Sequence, residues 1–216
     1  MTGRAPAAAT VGALDAAAGE LVRLAVTIAV GDEGALRDGA ARAVKVGADP
    51  EHVEEVILQS YLFVGFPRAL NAMRAWRKAS GRAAPRTDAD ASDRDAADWR
   101  ARGERTCATV YGPQYERLRV NIRELHPALD DWMIEEGYGR VLGRPALALK
   151  VRELCVLAVC AATEQDRQLH SHLHGALHAG ASPAEVDGAL AVAGERLSEA
   201  SRARVAHLWA RVKAVA

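Results

Sequence analysis

The chain has 216 residues, enough for one large domain or two small ones. Half of them are hydrophobic, only 5% are aromatic and alanine is abundant, a composition that favours closely packed helices. With 28 basic and 28 acidic side chains the formal net charge is zero, which leaves no electrostatic footprint for a nucleic-acid partner or an anionic membrane.

Taken in chain order, the N-terminal stretch carries one basic residue and then alanines, without the leucine-rich core of a secretory signal, and residues 1–11 are expected to be disordered. Helices are expected over 12–30, 33–46, 50–64 and 67–78. Residues 79–93 are polar, lack aliphatic side chains larger than alanine and read as a mobile linker. Further helices are expected over 94–108, 113–124 and 127–136, with Pro113 and Pro127 as starts, followed by a loop over 137–145. Helices return over 147–163, 166–179, 183–194 and 198–214, the last with an apolar stripe of Val205, Leu208, Trp209 and Val212. No sustained alternation argues for a strand, so the fold class is all-α. No run approaches the roughly 20 apolar residues of a membrane span. The three cysteines, Cys107, Cys155 and Cys160, match no zinc spacing and no C-x-x-C, as expected of reduced thiols in a cytoplasmic protein.

The chain also repeats itself. Residues 20–58 lie on residues 153–191 without a gap, at an offset of 133, with 12 identities in 39 positions. The most informative match is Gly47-Ala48-x-Pro50-x-x-Val53 against Gly180-Ala181-x-Pro183-x-x-Val186. In each copy the glycine ends one helix in a left-handed cap, Asp49 or Ser182 caps the next, and proline takes its first position. In the second copy Glu185 completes a capping box with Ser182.

Two features could carry chemistry. Glu153 opens an almost uninterrupted apolar helix and shares a face with Val156, Leu157 and Cys160. A carboxylate buried there needs a partner or takes a proton. Four histidines then fall within nine residues, and helical geometry divides them. His170, His174 and His178 form one stripe, expected to face solvent. His172 lies opposite, with Leu169, Ala176 and Gly180, and is expected to point inward. Two histidines one turn apart can bind zinc, but no H-E-x-x-H and no third acidic ligand accompany them, so neither a metal nor another cofactor is expected.

Glu153, then His172 in the frame His172-x-x-x-Ala176-x-x-x-Gly180 followed by Ser-Pro-x-Glu-Val, resembles the signature of the carboxymuconolactone decarboxylase and alkylhydroperoxidase-D superfamily. Upstream, Tyr138-Gly139-Arg-Val-Leu-Gly-Arg144-Pro145-Ala-Leu147 resembles the segment that precedes the glutamate helix in the decarboxylase branch. In the first copy, Tyr61-Leu-Phe-Val-Gly65-Phe66-Pro67 resembles the segment that follows the histidine helix. The resemblance implies two tandem alkylhydroperoxidase-D-like helical units, over 12–78 and 94–216, forming a pseudo-dimer, and a homo-oligomer built as a trimer of such pseudo-dimers. It also implies a small-molecule substrate: a carboxylated lactone or related organic acid, decarboxylated with His172 as general acid or base and Glu153 orienting it. Arg144, Tyr138, Tyr61 and Phe66 are the expected substrate contacts, and Cys160 is a possible pocket-lining residue. The chain departs from the family in two ways. Gln165 and Gln168 stand where the peroxidase branch has its two redox cysteines, and Gly39 stands at the histidine position of the first copy. A peroxidase-like protein using Cys155 or Cys160, and a catalytically silent binding or assembly protein, are the alternative readings.

Overall fold

The computed structural model describes residues 14–90 and 95–215. The disorder expected for residues 1–11 lies outside the described residues, as do positions 91–93 of the expected linker. The described residues form α1 (Ala16–Val30), α2 (Glu33–Lys45), α3 (Pro50–Ser80), α4 (Ala96–Tyr111), α5 (Tyr115–Leu125), α6 (Pro127–Trp132), a π-helical stretch (Met133–Leu142), α7 (Leu149–Ala162), α8 (Asp166–His178), α9 (Pro183–Gly194) and α10 (Glu199–Lys213). The architecture is all-α. No helix among the described residues is long and apolar enough to cross a membrane.

The local signals act where the chain places them. Asp15, Asp32 and Asp49 accept backbone N–H groups at the starts of α1, α2 and α3. Ser182 caps α9, and the Glu185 carboxylate returns to the Ser182 N–H at 2.7 Å. Gly47 and Gly180 take the same left-handed turn, at φ 71° and 91°, after α2 and α8. The two helices expected over 50–64 and 67–78 follow one another in α3 with a single non-helical residue between them, Gly65 at φ 80°, ψ 163°. Pro67 has no N–H to give to the turn before it, which accounts for a break at this point.

The loop expected over 137–145 is instead helical as far as Leu142, in the wider π form. The helix expected over 127–136 is correspondingly α-helical only to Trp132. Close approach is the physical reason. A Cβ on Gly103 would collide with the Ile134 carbonyl, and one on Gly139 with the Trp99 carbonyl. α4 and the π-helix therefore meet backbone to backbone, and Arg102 Nε donates to the Gly139 carbonyl at 2.6 Å.

α7 runs through the centre and is buried without interruption from Arg152 to Ala161. It packs on α8 and α9 of its own copy and on α1 and α3 of the first. α1 packs on α2 and α3 of its own copy and on α7 and α9 of the second. Each central helix thus touches its counterpart and the counterpart's third helix. Both central helices bury apolar side chains, Leu24 and Ile28 on α1 and Leu154 and Leu157 on α7 among them, each worth about 1.5–3 kcal/mol when fully buried.

One polar cluster crosses that seam. Arg152, on α7, is fully buried, and its Nη2 lies 2.6 Å from Glu55 Oε2 on α3. The remaining Arg152 donors reach the Leu147 carbonyl, the Arg144 carbonyl and Gln59 Oε1. Burial holds Arg152 below the ordinary arginine range, and the Glu55 carboxylate works the other way. Removing one member of such a pair strands the other charge in the core. Replacing Glu55 by alanine is expected to cost about 3–5 kcal/mol of unfolding free energy. Urea denaturation of the variant against the native chain checks it, and a loss below about 1 kcal/mol would mean that water reaches Arg152.

Candidate active site

One face of α3 before the break at Gly65 turns to the second copy. Glu55, Gln59 and Phe63 follow each other at one-turn intervals, and all three point at the second copy. Phe63 meets the His172 ring edge-on, with centroids 6.0 Å apart and planes at 82°. His172 lies on α8, 5% exposed, and its Nδ1 is 2.8 Å from Glu153 Oε2 on α7. Glu153 is fully buried, one residue along from Arg152. With a carboxylate as its partner, Nδ1 is the ring nitrogen that carries the hydrogen, which leaves Nε2 to exchange a proton with a ligand. The second carboxylate oxygen, Glu153 Oε1, is buried with no hydrogen-bond partner among the described residues.

The carboxylate fits because of Gly175. A Cβ there would sit 2.6 Å from both Glu153 Oε2 and Val110 Cγ1. Glycine at this position is thus a packing requirement of the buried glutamate, a link that the sequence pattern around Ala176 and Gly180 does not reveal. Around the carboxylate stand Tyr138, Tyr111 and two thiols. Tyr138 is buried and meets Tyr111 edge-on at 6.2 Å. Burial pushes the Tyr138 phenol well above its usual range, and the neighbouring Tyr111 and the Glu153 charge add to that. Burial likewise pushes the thiols of Cys107, Cys155 and Cys160 up to about 12. Cys160 and Cys107 both feel the Glu153 charge, as residues bordering it would.

The other expected contacts fall differently. Tyr61 and Phe66 stack on each other with centroids 4.7 Å apart, Phe66 is 62% exposed, and the Tyr61 hydroxyl donates to Glu136. The break at Gly65 separates Phe66 from the helical face that carries Phe63, so the first copy's aromatic against His172 is Phe63. The i, i+4, i+8 spacing of Glu55, Gln59 and Phe63 was the available signal for it. Arg144 is engaged by Glu55 at 2.9 Å and by Asp88 at 2.9 Å. Along α3, Glu55 and Phe63 are separated by about 12 Å of helix, so the Arg144 cluster and the imidazole occupy different stations.

The histidine stripe keeps the expected phase. His170 and His174 are half-buried and His178 is exposed, with ring centroids 5.0 Å and 6.3 Å apart along the row. His178 Nδ1 lies 2.8 Å from the Val110 carbonyl. Burial first, then the neighbouring His170 and His178, hold His174 below the ordinary histidine range. Among the described residues, no group of three or more histidine, cysteine, aspartate or glutamate side chains is arranged to hold a metal ion.

The first copy answers the same electrostatic demand in another way. Glu20, the counterpart of Glu153, is also buried, and Arg42 Nε reaches its Oε1 at 2.8 Å. Arg42 is the counterpart of Gly175, and Gly39 is the counterpart of His172. Cation and glycine have changed places one helical turn apart. Each copy buries a glutamate against a cationic or cation-forming side chain of its second helix. In the first copy that cation is permanent, and in the second it can release a proton.

These features define a class: an all-helical protein of two tandem three-helix units, one of which holds a buried glutamate–histidine pair. The chain belongs to the carboxymuconolactone decarboxylase family, whose family model matches residues 2–78 and 127–211 as two tandem units. No curated protein matches the chain.

The Gly175 contact yields a test. Gly175→Ala is expected to push the carboxylate off its seat and to lose about 1–3 kcal/mol of stability. Thermal denaturation checks it, and an unchanged midpoint would mean that the carboxylate has room to move.

Proposed function

We propose that the protein is an enzyme that decarboxylates a small carboxylated lactone or a related organic acid, with His172 as the proton donor and Glu153 as its positioning residue. The observation that carries this reading is the 2.8 Å contact between His172 Nδ1 and Glu153, whose other carboxylate oxygen has no hydrogen-bond partner among the described residues, with Phe63 edge-on to the same ring. Loss of carbon dioxide breaks a carbon–carbon bond and leaves its electron pair on the substrate as a carbanion or dienolate. The Nε2 proton of the imidazolium goes to that carbon, and solvent returns a proton to the ring. The carboxylate of Glu153 fixes the ring through Nδ1 while Nε2 makes the transfer. Phe63 and Tyr138 keep water from the carbanion.

Family membership supports the fold and a related chemistry, and this reaction is our reading of the site. The contrast between the two copies favours an active second unit. A purely structural glutamate is satisfied by a permanent cation, as in the Glu20–Arg42 pair, whereas the second copy uses a group that can give up a proton. The thiol alternative is disfavoured by burial. At pH 8 a thiol with its pKa at about 12 is ionised in only about one molecule in ten thousand, and the thiolate is the reactive form. Gln165 and Gln168, at the family's redox-cysteine positions, are exposed. We further propose that the two units form a pseudo-dimer, that three chains complete a ring, and that the protein works in the cytoplasm.

The test is carbon dioxide release from a panel of carboxylated lactones. His172→Asn keeps a donor near the Nδ1 position and removes Nε2, so a drop of about 10²–10⁴-fold in kcat with the fold intact is expected. Glu153→Gln should lower kcat about 10–100-fold. Release that persists unchanged in His172→Asn would sink the assignment, as would a panel from which the native chain releases nothing.

A further inference from the structure

The segment joining the two helix triplets leaves α3 at Gly81, and residues 81–89 are all exposed. Its sequence, Gly-Arg-Ala-Ala-Pro-Arg-Thr-Asp-Ala-Asp, offers no large apolar side chain to bury. Two carboxylates tie it down. Asp88 forks onto the terminal nitrogens of Arg144 at 2.9 and 3.0 Å, and Asp90 forks onto Arg102 at 2.8 Å for both bonds. Beneath the segment lies a groove of about 1270 Å³, bounded by Glu55, Leu58 and Met73 of α3 and by the turn at Arg144 and Pro145.

Arg144 does not depend on Asp88 for its place. Its side chain is 13% exposed, and its Nε is held by both oxygens of Glu55, at 2.9 and 3.0 Å. Glu55 is in turn anchored on the fully buried Arg152. The two terminal nitrogens are therefore presented in a fixed plane, the geometry that takes a carboxylate end-on through two parallel hydrogen bonds. The Asp88 side chain that takes them is 47% exposed. Besides its fork onto Arg102, Asp90 comes within 3.7 Å of Arg144 Nη1, too long for a hydrogen bond, so Asp88 alone bonds the two terminal nitrogens among the contacts described. Lifting Asp88 away takes both hydrogen bonds from the terminal nitrogens of Arg144 and uncovers the groove. The neighbouring acid on α3, Glu54, already forks onto Arg77 at 2.7 Å and does not fill that role.

We propose that Arg144 is a carboxylate-binding site of its own, which Asp88 fills as an internal, displaceable ligand. A small organic acid entering the groove competes with the joining segment for the same two donors. The proposal does not rest on the decarboxylase reading, because the site lies about 12 Å along α3 from the aromatic that marks His172.

Arg82 and Arg86 make the segment its own reporter, since both are exposed trypsin sites. Cyclohexanecarboxylate is the probe and its neutral amide the control, with cleavage after Arg82 and Arg86 followed by mass spectrometry. The acid should raise the cleavage rate of the native chain about three- to fivefold, the scale of a half-exposed ion pair, and the amide should not. Asp88→Asn should raise it without any acid and should bind the acid about three- to fivefold more tightly in calorimetry. Arg144→Lys keeps a charge beside Glu55 but loses the fork, and should abolish the response to acid. Acid and amide acting alike, acid failing to speed cleavage, or Asp88→Asn binding the acid no better than the native chain would each overturn the proposal.

Discussion

Two charges sit side by side in the most deeply buried helix of this protein, and the arrangement around them follows from matching each one. Arg152 and Glu153 are both fully buried on α7. Being adjacent on a helix, they point about 100° apart and cannot be satisfied by the same neighbour. Arg152 turns to the first copy and takes Glu55. Glu153 turns to its own copy and takes His172. The first contact makes the seam between copies specific as well as apolar. The second fixes the orientation of a buried imidazole. An unpaired charge at either position would cost several kcal/mol, so seam and site are held by one short stretch of sequence.

Duplication explains how such a site is kept in one unit only. Both copies inherit a buried glutamate on the first helix, and both need a cation opposite it. The first copy places arginine one turn away from where the second has histidine, and glycine where the histidine would be. That exchange keeps the packing and removes the titratable group. What the first copy gives the second is an aromatic wall, Phe63, and a counter-charge, Glu55, both from the same face of α3.

Most helix positions were legible because their causes are local. Asp32, Asp49, Ser182, Gly47 and Gly180 act through their own backbone neighbours, and the apolar content of α7 marks it as central wherever it packs. The inward direction of His172 was legible for the same reason, since it depends only on helical phase. The π-helix was not, because its cause is the contact of Gly103 and Gly139 with backbone far away in sequence. The role of Arg152 was not legible either, because no local pattern fixes it. Its partner lies 97 residues away on another element. Phe66 stands in a motif whose glycine, by breaking the helix, turns the aromatic that follows it toward solvent.

The central claim is that Glu153 holds the His172 ring through Nδ1. Nitrogen-15 correlated proton NMR of the ring nitrogens reads this directly. The account predicts a strongly downfield proton on Nδ1 of His172, slow to exchange with water, that is lost or shifted far upfield in Glu153→Gln. A His172 ring whose Nδ1 proton exchanges freely with water in the native chain, or whose spectrum is the same in Glu153→Gln, would contradict it.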